Sequence, residues 1–341
     1  MLDSLIKPQY TAKEVPTLEP DIDARVVDLI QLIKREYAEK KQVMDFAKLA
    51  QFFTLDSLTT IAFGYPFGFV TKNEDLYDYN KTSTAFFPIM EIGTNIPLVH
   101  SVLSSRLMQA IAGPKAEDKI GLGAIIGITR GIVAERFSSD AKAPQDMLNS
   151  FISHGLTQEE AESESLLQIL AGADSTATSI RCTLLYLLTN PMAFAKLRGE
   201  IDQAVRSGNV TDPVISYSRG MQMPYLQACI KEGLRMWQPL NGIQTKVAPP
   251  EGATVNGVYI PGGTQVGWSA HSMMKRRDIF GDGADHFRPE RWLDGDPETI
   301  KKYERAWEIT FGAGRFSCLG KSIALMELTK VLFEVRLSEI V

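Results

Sequence analysis

The stretch from Thr157 to Thr189 most constrains the fold, because it reads as one long, uninterrupted helix. Thr157 and Glu160 form a capping box, in which each side chain satisfies a backbone N–H group of the first turn. The pattern ends at Asn190, which begins a new helix with Pro191 at its first position. About 32 residues rising 1.5 Å each give a helix roughly 48 Å long. Such a helix crosses a whole domain, so the rest of the chain must pack around it.

Helical periodicity dominates most of the remaining sequence. Pro88 is expected to kink or split one of these helices, and residues Gly93–Leu103 read as an apolar loop. The helix that begins at Asp45 is apolar on all sides and is predicted to be buried. The predicted helices cover Asp21–Lys40, Asp45–Phe63, Tyr77–Ile92, Pro114–Phe137, Tyr225–Met236 and Ile323–Leu332.

A small β region is predicted after the helix that ends near residue 236. The dipeptide Asn256-Gly257 indicates a hairpin within residues 254–260. The segment that follows, residues 261–268, reads as a turn and then a strand. Residues 275–310 look irregular, and so long an irregular stretch should have a functional cause. The predicted fold class is therefore mainly α with a small β region.

Composition narrows the classes of partner. The 341 residues carry a net charge of −5 without a long basic run, which argues against nucleic acid as a main partner. The 44% of hydrophobic residues suffice for a sizeable core. Three scattered cysteines do not suggest a disulfide framework, and the four histidines lack metal-ligand spacing. We expect neither a signal peptide nor a membrane span, since no apolar run reaches ~18 residues.

A glycine-rich loop that contains one cysteine, Cys318, comes directly before the last helical pattern. A thiolate at the start of a helix is stabilised by the helix dipole and by the free N–H groups there. Glycines at 312, 314 and 320 allow positive φ and a close approach of the backbone to a flat ligand. The loop therefore suits a sulfur that binds a metal, with backbone amides restraining its basicity. For a single cysteine, a buried free thiol is the alternative.

The spacing Phe-x-x-Gly-x-x-x-Cys-x-Gly, from Phe311 to Gly320, resembles the heme-binding loop of the cytochrome P450 monooxygenases. In that family a cysteine thiolate binds the heme iron and donates electron density that favours O–O cleavage. The resemblance implies that Cys318 is the iron ligand. It also implies that Phe311, Gly314, Arg315 and Gly320 belong to the heme-binding loop.

The segment Ala171-Gly-Ala-Asp-Ser-Thr176 lies in the middle of the long helix. Its small residues leave room for a flat cofactor or, alternatively, for a close helix–helix crossing. The segment resembles the family's oxygen-binding groove, where an acid relays protons and a hydroxyl donates a hydrogen bond to dioxygen. By position these are Asp174 and Ser175, with Thr176 as a second hydroxyl. Serine in place of the usual threonine keeps the donor but loses the methyl group that limits its rotamers.

Two charged motifs complete the pattern. Glu232 and Arg235 can pair across one helix turn, although such a pair alone is typical of a solvated face. The segment Phe287-Arg-Pro-Glu-Arg-Trp292 is by itself typical of a polar surface turn. In the family, these motifs supply a buried triad that holds the irregular stretch before the heme loop. The resemblance implies that Glu232, Arg235 and Arg291 form this triad.

The resemblance extends from about Asp21 to Leu332, and residues 146–191 are similar to fungal members of the pisatin-demethylase type. Phe316 stands where an arginine often pairs with a heme propionate. Lys246 stands where a second propionate-binding arginine is usual. Lysine keeps the positive charge but lacks the planar guanidinium group that donates two parallel hydrogen bonds. We expect one cytochrome P450 domain over residues 1–341, apparently truncated at both ends, without the N-terminal anchor and strands or the C-terminal hairpin.

The resemblance implies a heme-thiolate monooxygenase that oxidises a small apolar molecule in fungal secondary metabolism. Electrons would come from NADPH through a reductase, with Lys321 and Arg315 as contacts. The substrate would lie along residues 168–173 and 240–243. The alternatives are a non-catalytic remnant of the fold, a heme-thiolate isomerase or dehydratase, and a helical interaction module without a cofactor.

The resemblance also bears on assembly and location. We expect a monomer at the surface of the endoplasmic reticulum in a longer form, and otherwise in the cytoplasm. Residues Gly93–Leu103 fall where the family's substrate-access lid lies. This segment either packs on the core or contacts the membrane peripherally.

Overall fold

The computed structural model describes Tyr10 and residues 14–138, 144–208 and 213–335. Helices dominate these residues, as the sequence predicted. The N-terminal half contains α1 (Leu18–Leu32), which continues as a π-helical segment (Ile33–Ala38), α2 (Phe46–Phe63), α3 (Phe69–Lys72), α4 (Tyr79–Asn95), α5 (Pro97–Leu103), α6 (Arg106–Ala112), α7 (Gly121–Ser138) and α8 (Met147–Ser153).

The C-terminal half contains the long helix and all four strands that the described residues form. Its helices are α9 (Gln158–Leu188), α10 (Pro191–Arg206), α11 (Tyr217–Gly220), α12 (Pro224–Met236), α13 (Ala270–Met274), α14 (Arg277–Phe280), α15 (Pro297–Glu308) and α16 (Lys321–Glu334). Its strands are β1 (Ile243–Val247), β2 (Ala253–Val255), β3 (Val258–Ile260) and β4 (Gln265–Ser269). Short 3₁₀ turns lie at Leu76–Asp78, Pro289–Trp292, Ile309–Phe311 and Gly314–Phe316.

Helix α9 is the centre of the fold, and its predicted capping box is confirmed. The Thr157 hydroxyl accepts the N–H of Glu160, whose carboxylate accepts the N–H of Thr157 over 2.9 Å. The helix packs most extensively on α2 and also contacts α7, α12 and α16. Helix α2 is buried at every position from Leu49 to Phe63, as an all-round apolar pattern predicts.

The strands form two antiparallel pairs. The β2–β3 hairpin turns at Asn256 and Gly257, whose φ angles are 50° and 80°, so the predicted Asn-Gly hairpin is confirmed. The predicted strand after Pro261 is β4. It pairs with β1, which the sequence analysis did not predict, and Lys246 lies opposite Val266 in this register.

Two expectations for the region of α4 and α5 were wrong. Pro88 does not split its helix, because α4 runs continuously from Tyr79 to Asn95. The carbonyl that Pro88 leaves without a donor belongs to Thr84, which is exposed and can bind water. Residues 97–103 are not a loop but the helix α5, which begins with a proline at its first position.

Two further boundaries differ from the prediction. Residues 114–120 are not helical. Their turn lies directly on α7, where a side chain at Gly123 or Gly127 would clash with it. Residues 275–310 are only partly irregular, because α15 occupies 297–308. The Asp296 side chain caps α15, and its apolar side packs through Tyr303, Ala306 and Trp307.

Within the described part of the chain, no helix has both the length and the apolar character needed to span a bilayer.

Candidate functional site

Cys318 lies between a 3₁₀ turn and the first residue of α16. Its N–H donates to the Phe311 carbonyl over 2.6 Å, which closes the loop. Cys318 is exposed. Desolvation by the surrounding protein raises the pKa of its thiol, while the N–H groups of Gly320 and Lys321 and the Lys321 charge lower it. Those two donors at the helix start are what a thiolate ligand requires.

The loop glycines have different roles. Gly312 has a φ of 74°, and a Cβ there would come within 2.5 Å of the Phe316 carbonyl oxygen. Gly314 has a φ of 61°, and a Cβ there would meet nothing within 4 Å. Gly320 was expected to use positive φ, but its φ is −80°, because it is the N-cap residue of α16. The glycine requirement therefore concerns Gly312 and Gly314.

Two cationic side chains lie over the ring of Phe316. Lys246 Nζ lies 3.6 Å from the ring centroid, and the Arg315 guanidinium carbon lies 4.6 Å from it. Neither cation makes a salt bridge within the described residues. Two positive charges beside the Cys318 loop therefore lack a carboxylate partner, and both would be available to an anionic group.

Lys321 is in a different situation from Arg315. Its ammonium group pairs with the Glu308 carboxylate over 2.5 Å and lies 5.4 Å from the Phe311 ring centroid. Phe311 is half-buried and packs edge-on against Trp307, with centroids 5.5 Å apart. The Lys321 charge is therefore partly neutralised by the end of α15.

Tyr10 connects the Cys318 loop to α9. Its carbonyl accepts the Ser322 hydroxyl over 3.1 Å. Burial is the main cause of a rise in the pKa of Tyr10 to about 12; the charges of Glu164 and Cys318 contribute to the rise, and the Gln168 side chain opposes it. Residues 164–168 of α9 and the cysteine loop thus lie around one tyrosine.

The small-residue segment of α9 has two different faces. Gly172 lies at the crossing with α2, where a Cβ would come within 2.8 Å of Leu58, and Ala173 is fully buried. Ala171 is exposed, and the half-buried Ser175 donates to the Ala171 carbonyl over 2.7 Å. Thr176 is 4% exposed and belongs to the core face. Both explanations of the motif thus apply, each to different residues.

Asp174 is half-buried, and burial raises the pKa of its carboxyl group. Three groups act against that rise. The Tyr79 hydroxyl donates to Oδ2 over 2.9 Å, the Arg181 charge attracts the carboxylate, and the Gln51 amide lies nearby. Gln51 lowers the pKa, although its geometry falls short of a hydrogen bond. Asp174 is therefore held in one orientation by a group from another helix.

Glu232, Arg235 and Arg291 come together in the core. Their side chains are 0%, 0% and 1% exposed. Arg235 donates to both Glu232 oxygens over 2.9 Å, and Arg291 donates to Oε1 over 2.9 Å. The Trp292 indole and the Arg288 N–H also donate to Glu232, over 2.9 and 2.8 Å. Five donated hydrogen bonds satisfy a carboxylate whose side chain is fully buried.

The two guanidinium groups hold the irregular segment through its backbone. They donate to carbonyls of residues that lie between α13 and the 3₁₀ turn at Pro289. Arg235 binds the carbonyls of Met274, Ala284 and His286, and Arg291 binds those of Phe280, Gly283 and His286.

The expected substrate-lining residues differ in accessibility. Leu240, which precedes β1, and Ile243, its first residue, are 65% and 61% exposed. In the 168–173 segment, Ala171 is exposed, whereas Gln168 is buried. Leu240, Ile243 and Ala171 are therefore accessible to a ligand, whereas Gln168 belongs to the core.

Several residues with a role here were not anticipated. Tyr79 has no sequence signal, since 95 positions separate it from Asp174. Trp292 ends the motif of residues 287–292, and the presence of an indole N–H there is a signal for a further donor to the triad. Glu327, on α16, is fully buried, and burial raises the pKa of its carboxyl group to about 8. In the described part of the chain, no three His, Cys, Asp or Glu side chains cluster as metal ligands would.

Comparisons with known proteins show the family to which the chain is related. Residues 4–335 match the family described as Cytochrome P450. The chain is 42% identical over 332 residues to the cytochrome P450 monooxygenase ABA1 of Pyricularia oryzae (strain 70-15), which covers 96% of this chain and 65% of that protein. It is 37% identical over 331 residues to the cytochrome P450 monooxygenase aba1 of Botryotinia fuckeliana, with coverages of 96% and 65%.

A third relative is the cytochrome P450 monooxygenase abl1 of Leptosphaeria maculans, 36% identical over 332 residues. The alignment covers 96% of this chain and 58% of that relative. The chain therefore spans less than two thirds of the length of these curated relatives.

Proposed function

This chain belongs to the cytochrome P450 family, and from that premise we propose that the protein is a heme-thiolate monooxygenase that oxidises a small apolar molecule. O2 is the oxidant, and the electrons come from NADPH through a reductase. The relatives named above are fungal proteins that carry the name monooxygenase. This supports a place in fungal secondary metabolism.

The Cys318 loop is the observation that carries the proposal. The N–H groups of Gly320 and Lys321 at the start of α16 lower the pKa of the thiol against the larger effect of burial, and such donors favour a thiolate. Gly314 leaves open space beside the loop. Lys246 and Arg315 supply two cations without salt-bridge partners in the described residues, which suits the two propionates of a heme. The residues present therefore fit heme.

The heme, when bound, supplies the iron chemistry that activates dioxygen. The protein residues beside it handle protons and exclude water. Asp174 is assigned the proton relay, because burial raises the pKa of its carboxyl group towards the range in which it can carry a proton. Ser175 is assigned the hydroxyl donor, since its present acceptor is a helix carbonyl that it can leave by rotation. Thr176 lies on the core face, so its role is secondary.

Two surfaces are assigned to partners. Arg315 and Lys321 are proposed as reductase contacts on the cysteine side; Lys321 is paired with Glu308, and Arg315 is also assigned to a heme propionate. Helices α4, α5 and α6 expose apolar side chains such as Leu98 and Leu107, at 76% and 72%. This surface is proposed to contact the endoplasmic reticulum membrane peripherally, at the side where apolar substrates are concentrated.

Replacement of the cysteine tests the proposal. Cys318→Ala should lose the carbonyl-shifted Soret band of the reduced protein and all NADPH-dependent product. The matched control is Cys182→Ala, which removes a half-buried thiol on α9 and should keep both. A Cys318→Ala protein that keeps the shifted band would refute the ligand assignment. Turnover of a ligand without NADPH or O2 would instead favour an isomerase or dehydratase.

A further inference from the structure

One hydrogen bond joins the first residue of α4 to the middle of α9. The Tyr79 hydroxyl donates to Oδ2 of Asp174 over 2.9 Å, across 95 positions of sequence. Tyr79 is 1% exposed, so water does not compete for this bond. Burial and the neighbouring Asp174 charge raise the pKa of the tyrosine, which therefore stays protonated and remains a donor.

Tyr79 is also the attachment point of α4. Among the α4 residues whose burial is described, only Tyr79 and Gly93 are buried. The two residues before the helix, Tyr77 and Asp78, have φ angles of 59° and 50°, so the chain reaches Tyr79 through a strained turn. The position of the α4 start therefore depends in part on the contact that Tyr79 makes with α9, in addition to the packing of α4 on α7.

The surroundings of Asp174 leave one of its oxygens available. Tyr79 occupies Oδ2, and the other groups that act on the carboxylate are the Arg181 charge on α9 and the neutral Gln51 on α2. Arg181 is itself engaged, since it donates to the Thr178 hydroxyl over 2.8 Å. No described hydrogen bond uses Oδ1 of Asp174.

We propose that Tyr79 is a positioning residue for Asp174, which fixes Oδ2 so that Oδ1 exchanges protons beside Ser175, and which ties this acid to the start of α4. The inference rests on the proposed function, in which Asp174 relays protons. In each cycle Oδ1 takes up one proton from solvent and releases one towards the site, and Tyr79 keeps its own. Displacement of the α4 start withdraws the donor and releases the carboxylate.

Titration of the Asp174 carboxyl group tests the inference without any turnover. The measurement follows the infrared band of protonated carboxyl groups in the heme-loaded protein. The part of that band that disappears in Asp174→Asn belongs to Asp174 alone. A donor to the carboxylate favours its ionised form, so Tyr79→Phe should raise the midpoint of that band by about one pH unit. Tyr77→Phe is the matched control, because its hydroxyl is near the same turn but exposed, and it should leave the midpoint unchanged.

The catalytic consequence is measured separately. Tyr79→Phe should lower the product formed per NADPH consumed at least threefold at neutral pH, while Tyr77→Phe keeps the wild-type ratio. An unchanged midpoint in Tyr79→Phe, or a shifted midpoint with an unchanged product ratio, overturns the positioning role. If the wild-type protein consumes no NADPH but Tyr79→Phe still shifts the midpoint, the proposed function is refuted and the Tyr79–Asp174 contact remains established.

Discussion

At the scale of single residues, Glu327 is the group most at odds with its surroundings. It lies on α16, nine positions after Cys318, and is 1% exposed. Burial raises the pKa of its carboxyl group to about 8, and the Ser57 hydroxyl on α2 lowers it only in part, because its geometry falls short of a hydrogen bond. The side chain is therefore mostly protonated in the folded protein at neutral pH.

The pH dependence of stability follows from this shift. Between the ordinary glutamate pKa of 4.5 and about 8, the folded state keeps a proton that the unfolded state releases, so stability falls as pH rises. At pH 7 the loss is roughly 3 kcal/mol. Glu327→Gln keeps the shape of the protonated side chain but does not titrate. Its free energy of unfolding in urea should match that of the wild type at pH 4.5 and exceed it increasingly towards pH 8. A constant difference between the two proteins across that range would contradict the assignment.

At the scale of elements, α4, α5 and α6 form an outer layer with an apolar exposed side. Nine large apolar residues from Phe86 to Ile111 are exposed in addition to Leu98, and no described element covers them. The apolar sequence of Gly93–Leu103 allows two interpretations, a core segment and a membrane contact. The exposure of Leu98 and Val102 argues against the first.

Liposome flotation tests this layer. Substitution of Leu98 and Leu107 by Asp should reduce the floated fraction at least tenfold, because each leucine contributes about 2 kcal/mol when it enters lipid. Val43→Asp is the matched control, since Val43 is 98% exposed but lies in the connection between α1 and α2. Equal flotation of the double variant and the control would reject the membrane contact.

Local signals explain which elements could be predicted from the sequence. The capping box at Thr157 and the Asn256-Gly257 turn act within a few residues, so both were predicted correctly. Helix α15 was missed inside an apparently irregular stretch, although Asp296 and Pro297 mark its start. The Tyr79–Asp174 contact could not be predicted, because nothing in either local sequence specifies a partner 95 positions away.

At the scale of the whole molecule, Glu232, Arg235 and Arg291 connect α12 to the segment that precedes the cysteine loop. The sequence could suggest that they meet only through the family resemblance, since a pair three residues apart is common on exposed helices. Their contacts with one another form because the three side chains are buried together, and no local sequence pattern predicts that burial. The ring of donors around Glu232 therefore belongs to the assembled fold.

Loss of either partner should affect the entire protein. Glu232→Ala and Arg235→Ala each leave a buried charge without its partner, which costs about 3–5 kcal/mol of the free energy of unfolding. Both variants should be insoluble or free of heme rather than slow. Glu298→Ala, which breaks an exposed pair with Lys301 on α15, is the matched control and should behave as the wild type. Soluble, heme-replete forms of both core variants would contradict a buried triad.

The same guanidinium groups leave the exposed positions of residues 275–286 free to vary in sequence, whereas Phe280 and Ala284 are buried and Gly281 has a φ of 77°. Arg235 and Arg291 donate hydrogen bonds to backbone oxygens there, which every amino acid possesses. The side chains of residues 276–278 and of Asp285 and His286 are exposed to solvent. The path of the segment thus depends on two arginines outside it as well as on its own buried Phe280 and Ala284. Mutations can accumulate along this surface, and new surface chemistry can arise there, without disturbing the path that leads to Cys318.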